Sequence, residues 1–200
     1  MRYVYLAAVA LVLAGLVHIV IIVTVPYFAE RDAWAKLSDR GPAWTFHEAA
    51  RPGASQAWLG ENDPNFASIA CRFDLNEAAL EVTSSETLPF WSVSIYDERS
   101  RNIYSFNDAT AVGGRLFLIV VDPVQMARLR QTPPREAEEA VLVEAPISKG
   151  FVVVRALAPE ATWQSEVNAS TSDARCARYA LPELNTGPEP ERTIEDARDG

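Results

Sequence analysis

The chain has 200 residues, 48% of them hydrophobic and 22% charged, which is the balance of a folded protein rather than a disordered one. Its 18 basic and 27 acidic side chains give a net charge of −9, which argues against a nucleic-acid binder, since that would show a basic face. The length suits one membrane segment followed by one domain of ordinary size.

Residues 4–25 carry no charged side chain. As a helix they would extend roughly 33 Å, enough to cross a bilayer core of about 30 Å. Tyr3 and Tyr5 at one end, and Tyr27 and Phe28 at the other, resemble an aromatic belt. The competing reading is a cleaved signal peptide, which has a shorter apolar run, about 7–15 residues, and then a small-x-small cleavage site. Val25-Pro26-Tyr27-Phe28-Ala29-Glu30 offers no good site, so an uncleaved single-span anchor in the lipid is expected. With one span, the bulky C-terminal part is most simply the exported part. His18 lies inside the span, but no intramembrane carboxylate accompanies it, so a proton relay would lack a second station.

Residues 26–54 read as a juxtamembrane helix and linker. Tyr27, Trp34 and Leu37 fall on one helical face, set to lie on the bilayer surface or against the domain, and Gly41-Pro42 ends the helix. Loop signals at Arg51-Pro52-Gly53 and Glu61-Asn62-Asp63-Pro64 place the start of the folded domain near residue 55. Weak strands are expected around 72–75 and 79–82. Trp91-Ser92-Val93-Ser94-Ile95-Tyr96 alternates with period two, and a polar turn leads back into Ile103-Tyr104-Ser105-Phe106, which together predict a hairpin. Leu116-Phe117-Leu118-Ile119-Val120-Val121 suits a central strand buried on both faces. Asp122 then caps a short helix with Pro123 in its first turn. Residues 140–145 and 151–155 look like two strands joined by a turn, and 159–167 like a short closing helix carrying Trp163. Strands dominate, about six or seven with two short helices, and no βαβ rhythm is visible. The expected fold is mainly β: an anchor over 1–25, then a β-sandwich or jelly-roll-like exported domain over 55–181. Residues 182–200, with six acids and two arginines, read as a disordered acidic tail.

The sequence carries little recognisable chemistry. Cys71 and Cys176 bracket the expected strands, and in an exported domain a disulfide is the natural reading; two buried thiols are the alternative. His47 and these cysteines are too few for a structural zinc site, and no cofactor is implied. No phosphate-binding glycine loop, dinucleotide fingerprint or nucleophile elbow occurs. Asp97, Asp108 and Glu144 form a candidate carboxylate set for acid–base work, although acids at hairpin ends more often cap turns. Phe90, Trp91, Tyr96, Tyr104 and Phe106 can line a groove or simply pack. Trp91, Tyr96, Asp97, Tyr104 and Asn107 are the candidate ligand or partner surface.

Several phrases stand out as a set: Ala70-Cys71-Arg72-Phe73-Asp74-Leu75, Leu88-Pro89-Phe90-Trp91-Ser92-Val93-Ser94-Ile95-Tyr96-Asp97, Asn102-Ile103-Tyr104-Ser105-Phe106-Asn107-Asp108, and Gly150-Phe151-Val152-Val153-Val154-Arg155. The 122–130 helix belongs to the same set. With them, residues 1–180 or so resemble bacterial predicted integral membrane proteins related to domain of unknown function 1254, whose W-S-x-x-x-Y-D strand is matched by Trp91, Ser92, Tyr96 and Asp97. The resemblance implies an envelope location, a β-rich exported domain and no established reaction; with the single span, the expected place is the bacterial inner membrane with the C-terminal domain in the periplasm. Larger relatives pair this domain with a second β domain. The expected function is therefore binding or assembly, with another anchored envelope β-domain protein as partner. The alternative is an envelope hydrolase using carboxylates near Asp97.

Overall fold

The computed structural model describes residues 1–52, 58, 63–85 and 90–182, without the side chains of 26–32, 112 and 161. The acidic tail from 183 onward, and the loop signals at Gly53 and 61–62, lie outside the described residues.

The first element, α1, is a single helix of 39 residues, Arg2–Arg40. Its portion Arg2–Val25 is long and apolar enough to cross a membrane, with a mean hydropathy of 3.0, and none of it is buried against the rest of the chain. The helix continues through Pro26, which removes only one backbone donor, and ends where Gly41-Pro42 was expected to stop it. Its last turns dock on the domain: Leu37 is fully buried and packs with Ala49, Ala70, Phe151 and Val153, flanked by Ala33 and Trp34. Of the two placements open to this amphipathic stretch, residues 33–40 take the one against the domain.

Nine strands follow among the described residues. In chain order they are β1 (His47–Ala50), β2 (Phe66–Asp74), β3 (Ala79–Thr83), β4 (Trp91–Asp97) and β5 (Asn102–Asn107). Then come β6 (Phe117–Val121), helix α2 (Pro123–Gln131), β7 (Val141–Glu144), β8 (Lys149–Leu157), helix α3 (Gln164–Asp173) and β9 (Arg175–Tyr179). One sheet runs β1-β2-β8-β4-β5 and the other β7-β6-β3-β9. The architecture is a mixed α/β one with substantial sheet.

The hairpin β4–β5, the buried strand β6 and the cap of α2 form as the sequence predicts. At that cap Asp122 Oδ1 accepts from the Gln125 N–H at 2.7 Å, and Gln125 Oε1 accepts from the Asp122 N–H at 2.9 Å. Four expectations need correction. The domain takes in β1, which pairs with β2, so its sheet begins before residue 55. The strands at 140–145 and 151–155 do not form a hairpin: β7 belongs to the second sheet and β8 to the first, so Pro146-Ile147-Ser148 crosses between sheets. A βαβ unit does occur, because β6 and β7 are parallel with α2 between them. The closing helix is a short 3-10 turn, Ala161–Trp163, followed by α3, which runs on to Asp173 and into the unexpected strand β9.

Both sheets contribute to one apolar core. Ile69, Phe73, Trp91, Val93, Ile95, Val152 and Val154 of the first sheet meet Leu80, Val82, Leu118 and Val120 of the second. A Cys71–Cys176 disulfide joins β2 to β9 through this core, with Cα atoms 6.5 Å apart. The outer face of the second sheet is covered by α2, whose Met126 and Leu129 pack on Ala79, Ile119, Val121 and Tyr179. The outer face of the first sheet receives the end of α1.

Candidate functional site

The expected carboxylate set does not converge. Asp97 is only 3% exposed, and its carboxylate is fully engaged in closing the β4–β5 turn. It accepts from the Arg99 N–H at 2.9 Å, the Arg101 N–H at 2.9 Å, and the Arg101 side chain at 2.7 and 2.6 Å. Ser100, in the left-handed region at φ 61°, completes the bend. Asp108 follows the far end of β5, where Ser92 opposes Asn107. At about 3.3 Å per residue the hairpin holds Asp97 and Asp108 some 15–20 Å apart. Glu144 lies on the other sheet and pairs with Arg130 at 3.5 Å.

The proposed aromatic surface divides in the same way. Trp91 is a core residue, 2% exposed, set edge-on to Phe106 at 5.8 Å. Its Nε1–H donates to the Gly114 carbonyl at 3.2 Å, which the turn Gly113-Gly114, with both residues at positive φ, presents to it. Tyr96 points to the opposite, outer face and stacks on Phe151 at 5.0 Å. Tyr104 is exposed on the edge strand β5, and Asn107 ends that strand. Phe90 sits edge-on to Phe66 at 6.4 Å. His47 donates through Nε2 to the Pro42 carbonyl at 3.0 Å, which pins the corner between α1 and β1. That corner is further held by Arg72 over Trp34, Arg40 over Trp58 and Arg178 over Trp44, at 5.5, 5.0 and 4.8 Å. His18 lies in the exposed apolar part of α1.

A different place carries a cleft. At the end of the second sheet that α2 leaves uncovered, β3 lies between β6 and β9, with Thr83 opposite both Phe117 and Arg175. Beyond that row the Ser84 N–H donates to the Leu116 carbonyl at 2.9 Å, which brings Arg115 alongside Ser85, and Asp173, the last residue of α3, reaches Ser85 through its side chain. Alternation turns Leu116, Cys176 and Ser84 toward the core and Arg115, Phe117, Thr83, Ser85 and Arg175 outward. With Glu139 on one flank, these residues line a cavity of about 280 Å³. Asp173 Oδ2 accepts from the Ser85 N–H at 2.6 Å and from its hydroxyl at 2.8 Å. Arg115 faces Glu139 at 3.6 Å. Deeper, the Ser84 hydroxyl is buried without a hydrogen-bond partner among the described residues. One row along, burial and then the charge of Glu136 raise the pKa of Glu81 above its usual value. Sequence reasoning missed this cleft because its residues come from four separate segments. The Thr83-x-Ser85 and Arg115-x-Phe117 alternations become informative only once the strand register is known.

No protein-family model matches the chain, and no curated protein matches it. Among solved structures it is similar to the VPA0106 protein from Vibrio parahaemolyticus, with a TM-score of 0.52 at 10% identity over 84% of this chain and 42% of that one. It is also similar to a putative uncharacterized protein from Burkholderia cenocepacia, with a TM-score of 0.48 at 12% identity over 80% and 43%. The first likeness is one of fold alone, and the chain spans less than half the length of either protein.

Proposed function

We propose that this chain is a single-span protein of the bacterial inner membrane whose domain, a sandwich of two sheets, stands in the periplasm and serves binding and assembly. The observation that carries this reading is the division of α1. Its first 24 residues are apolar and entirely exposed, and the turns around Leu37 are buried on the domain. A helix exposed along such an apolar length needs lipid or another helix around it. The Cys71–Cys176 bridge suits an oxidising compartment. The proposed kinship is with the proteins related to domain of unknown function 1254. The partner would be a second anchored β-domain protein, joined to β5, the edge strand of its sheet among the described residues. An envelope hydrolase centred on Asp97 is disfavoured, because that carboxylate is saturated by Arg99 and Arg101.

An alkaline phosphatase fused after Gly200 tests the topology, since that enzyme folds only outside the cytoplasm. Activity there, together with an intact mass that retains the residues before Val25, supports an uncleaved anchor. An inactive fusion overturns the export. A chain shortened near Ala29 replaces the anchor with a signal sequence. Crosslinking in intact membranes should trap a defined heteromer, and recovery of monomer alone removes the assembly reading.

A further inference from the structure

We propose that the cleft at the open end of the second sheet binds the oxyanion of a small organic molecule, a carboxylate or phosphate ester whose apolar part lies on Phe117. This goes beyond the envelope reading and does not depend on it, because topology is read by the fusion and the cleft by titration.

Of the acidic side chains at the cleft, Asp173 takes the N–H and hydroxyl of Ser85, and Glu139, with 67% of its side chain exposed, meets Arg115 in one long contact. The basic ones are not balanced in the same way. Among the described residues nothing pairs with the Arg175 guanidinium, and Arg115 is held only loosely, at 3.6 Å, with 62% of its side chain exposed. The Arg115–Glu139 pair balances itself, so the group left over is a donor: the whole Arg175 guanidinium, with the Thr83 hydroxyl beside it and Arg115 near enough to join. Guanidinium groups present parallel N–H donors that match the paired oxygens of carboxylate and phosphate.

Register supplies the geometry. Arg175 and Phe117 flank Thr83 in one row, and Arg115 lies one row further along on the Phe117 side. With strands about 4.8 Å apart and rows about 6.8 Å apart, the two arginine Cα atoms are about 12 Å from each other. Both side chains can close over Thr83 from opposite sides. Phe117 is only partly buried, so one edge of its ring forms a wall where an apolar group can rest. The cavity of about 280 Å³ holds a molecule of one ring and one anionic group. It lies on the outer face of the second sheet, across both sheets from α1, so docking of the helix leaves it open.

The test is isothermal titration calorimetry of the full chain in neutral detergent at fixed ionic strength, with inorganic phosphate, phenyl phosphate and benzylammonium as probes. Phenyl phosphate should bind more tightly than inorganic phosphate, and benzylammonium should not bind. Arg175→Ala should weaken phenyl phosphate at least tenfold, Arg175→Lys by less, and Arg115→Ala by an intermediate factor. Arg128→Ala, on the exposed side of α2, should leave it unchanged. Retained melting temperatures show that the variants fold, and the lysine and Arg115 variants carry the test should Arg175→Ala not. Absence of heat with both phosphates overturns the proposal. So does equal weakening by Arg128→Ala, which would mark diffuse surface charge, or tighter binding of benzylammonium.

Discussion

Replacing Cys71 and Cys176 together by alanine removes the disulfide that links the two sheets. The bridged residues are 105 positions apart. In the chain-entropy description, closing a loop of that length restricts the unfolded chain by about 16 cal/mol/K, or about 4.8 kcal/mol at room temperature. Cys71 is fully buried and Cys176 nearly so, so lost packing at these sites adds to the loss. For a domain of this size, each kcal/mol moves the melting temperature by about 2–4 °C, so the double variant should melt roughly 10–20 °C below the native protein. The assay is thermal and urea unfolding of the full chain in detergent, oxidised, reduced and substituted. Reduction of the native protein should reproduce most of the shift, and thiol labelling of the unreduced, unfolded protein should find no free thiol. A loss below about 1 kcal/mol, or two labels per chain, would refute the reasoning.

Leu37→Ala probes the docking of α1. It should cost about 2–4 kcal/mol of unfolding free energy in a urea titration, because the side chain is wholly enclosed by Ala49, Ala70, Phe151 and Val153; a cost below about 0.5 kcal/mol would mean that the helix end contributes nothing to the fold. Glu81→Gln tests the raised pKa. The folded state holds that proton to higher pH than the unfolded state does, so native stability falls as pH rises from the usual 4.5 through the raised value, and the penalty is fully present above it. The glutamine variant should melt above the native protein at pH 7 and lose that advantage at acid pH; a native protein equal to or better than the variant at pH 7 would contradict the assignment.

Much of the chain was legible because local signals and tertiary context agree. Trp91, Val93 and Ile95 alternate with Ser92, Ser94 and Tyr96, and the structure buries the first set in the core. The apolar run of β6 is buried on both faces, and Asp122 with Gln125 makes a reciprocal cap. The failures share one cause: their structure is decided by what lies across from them. His47-Glu48-Ala49-Ala50 and Arg175-Cys176-Ala177-Arg178-Tyr179 have little intrinsic strand preference, and they become strands because β2 and β3 offer them unpaired edges. A turn after Glu144 reads the same locally whether the next strand joins the same sheet or crosses to the other. A single βαβ unit leaves no rhythm to detect. Candidate residues were chosen by type, and Asp97 was the right type for catalysis or for a turn; only its four donors distinguish the two.

The continuity of α1 has a mechanical consequence. Residues 26–40 would extend about 22 Å beyond the apolar segment at 1.5 Å per residue. Their last turns are clamped to the first sheet through Leu37. Set in a bilayer, span and domain would then act as one lever. A tilt of about 20°, ordinary for a lone span, would swing the docked end sideways by about 8 Å. Rotation of the span about its own axis would turn the cleft to a new compass bearing over the membrane. A change in bilayer thickness, or a second helix settling against Ala7, Ala14 and Gly15, would be converted into a change in where the domain points.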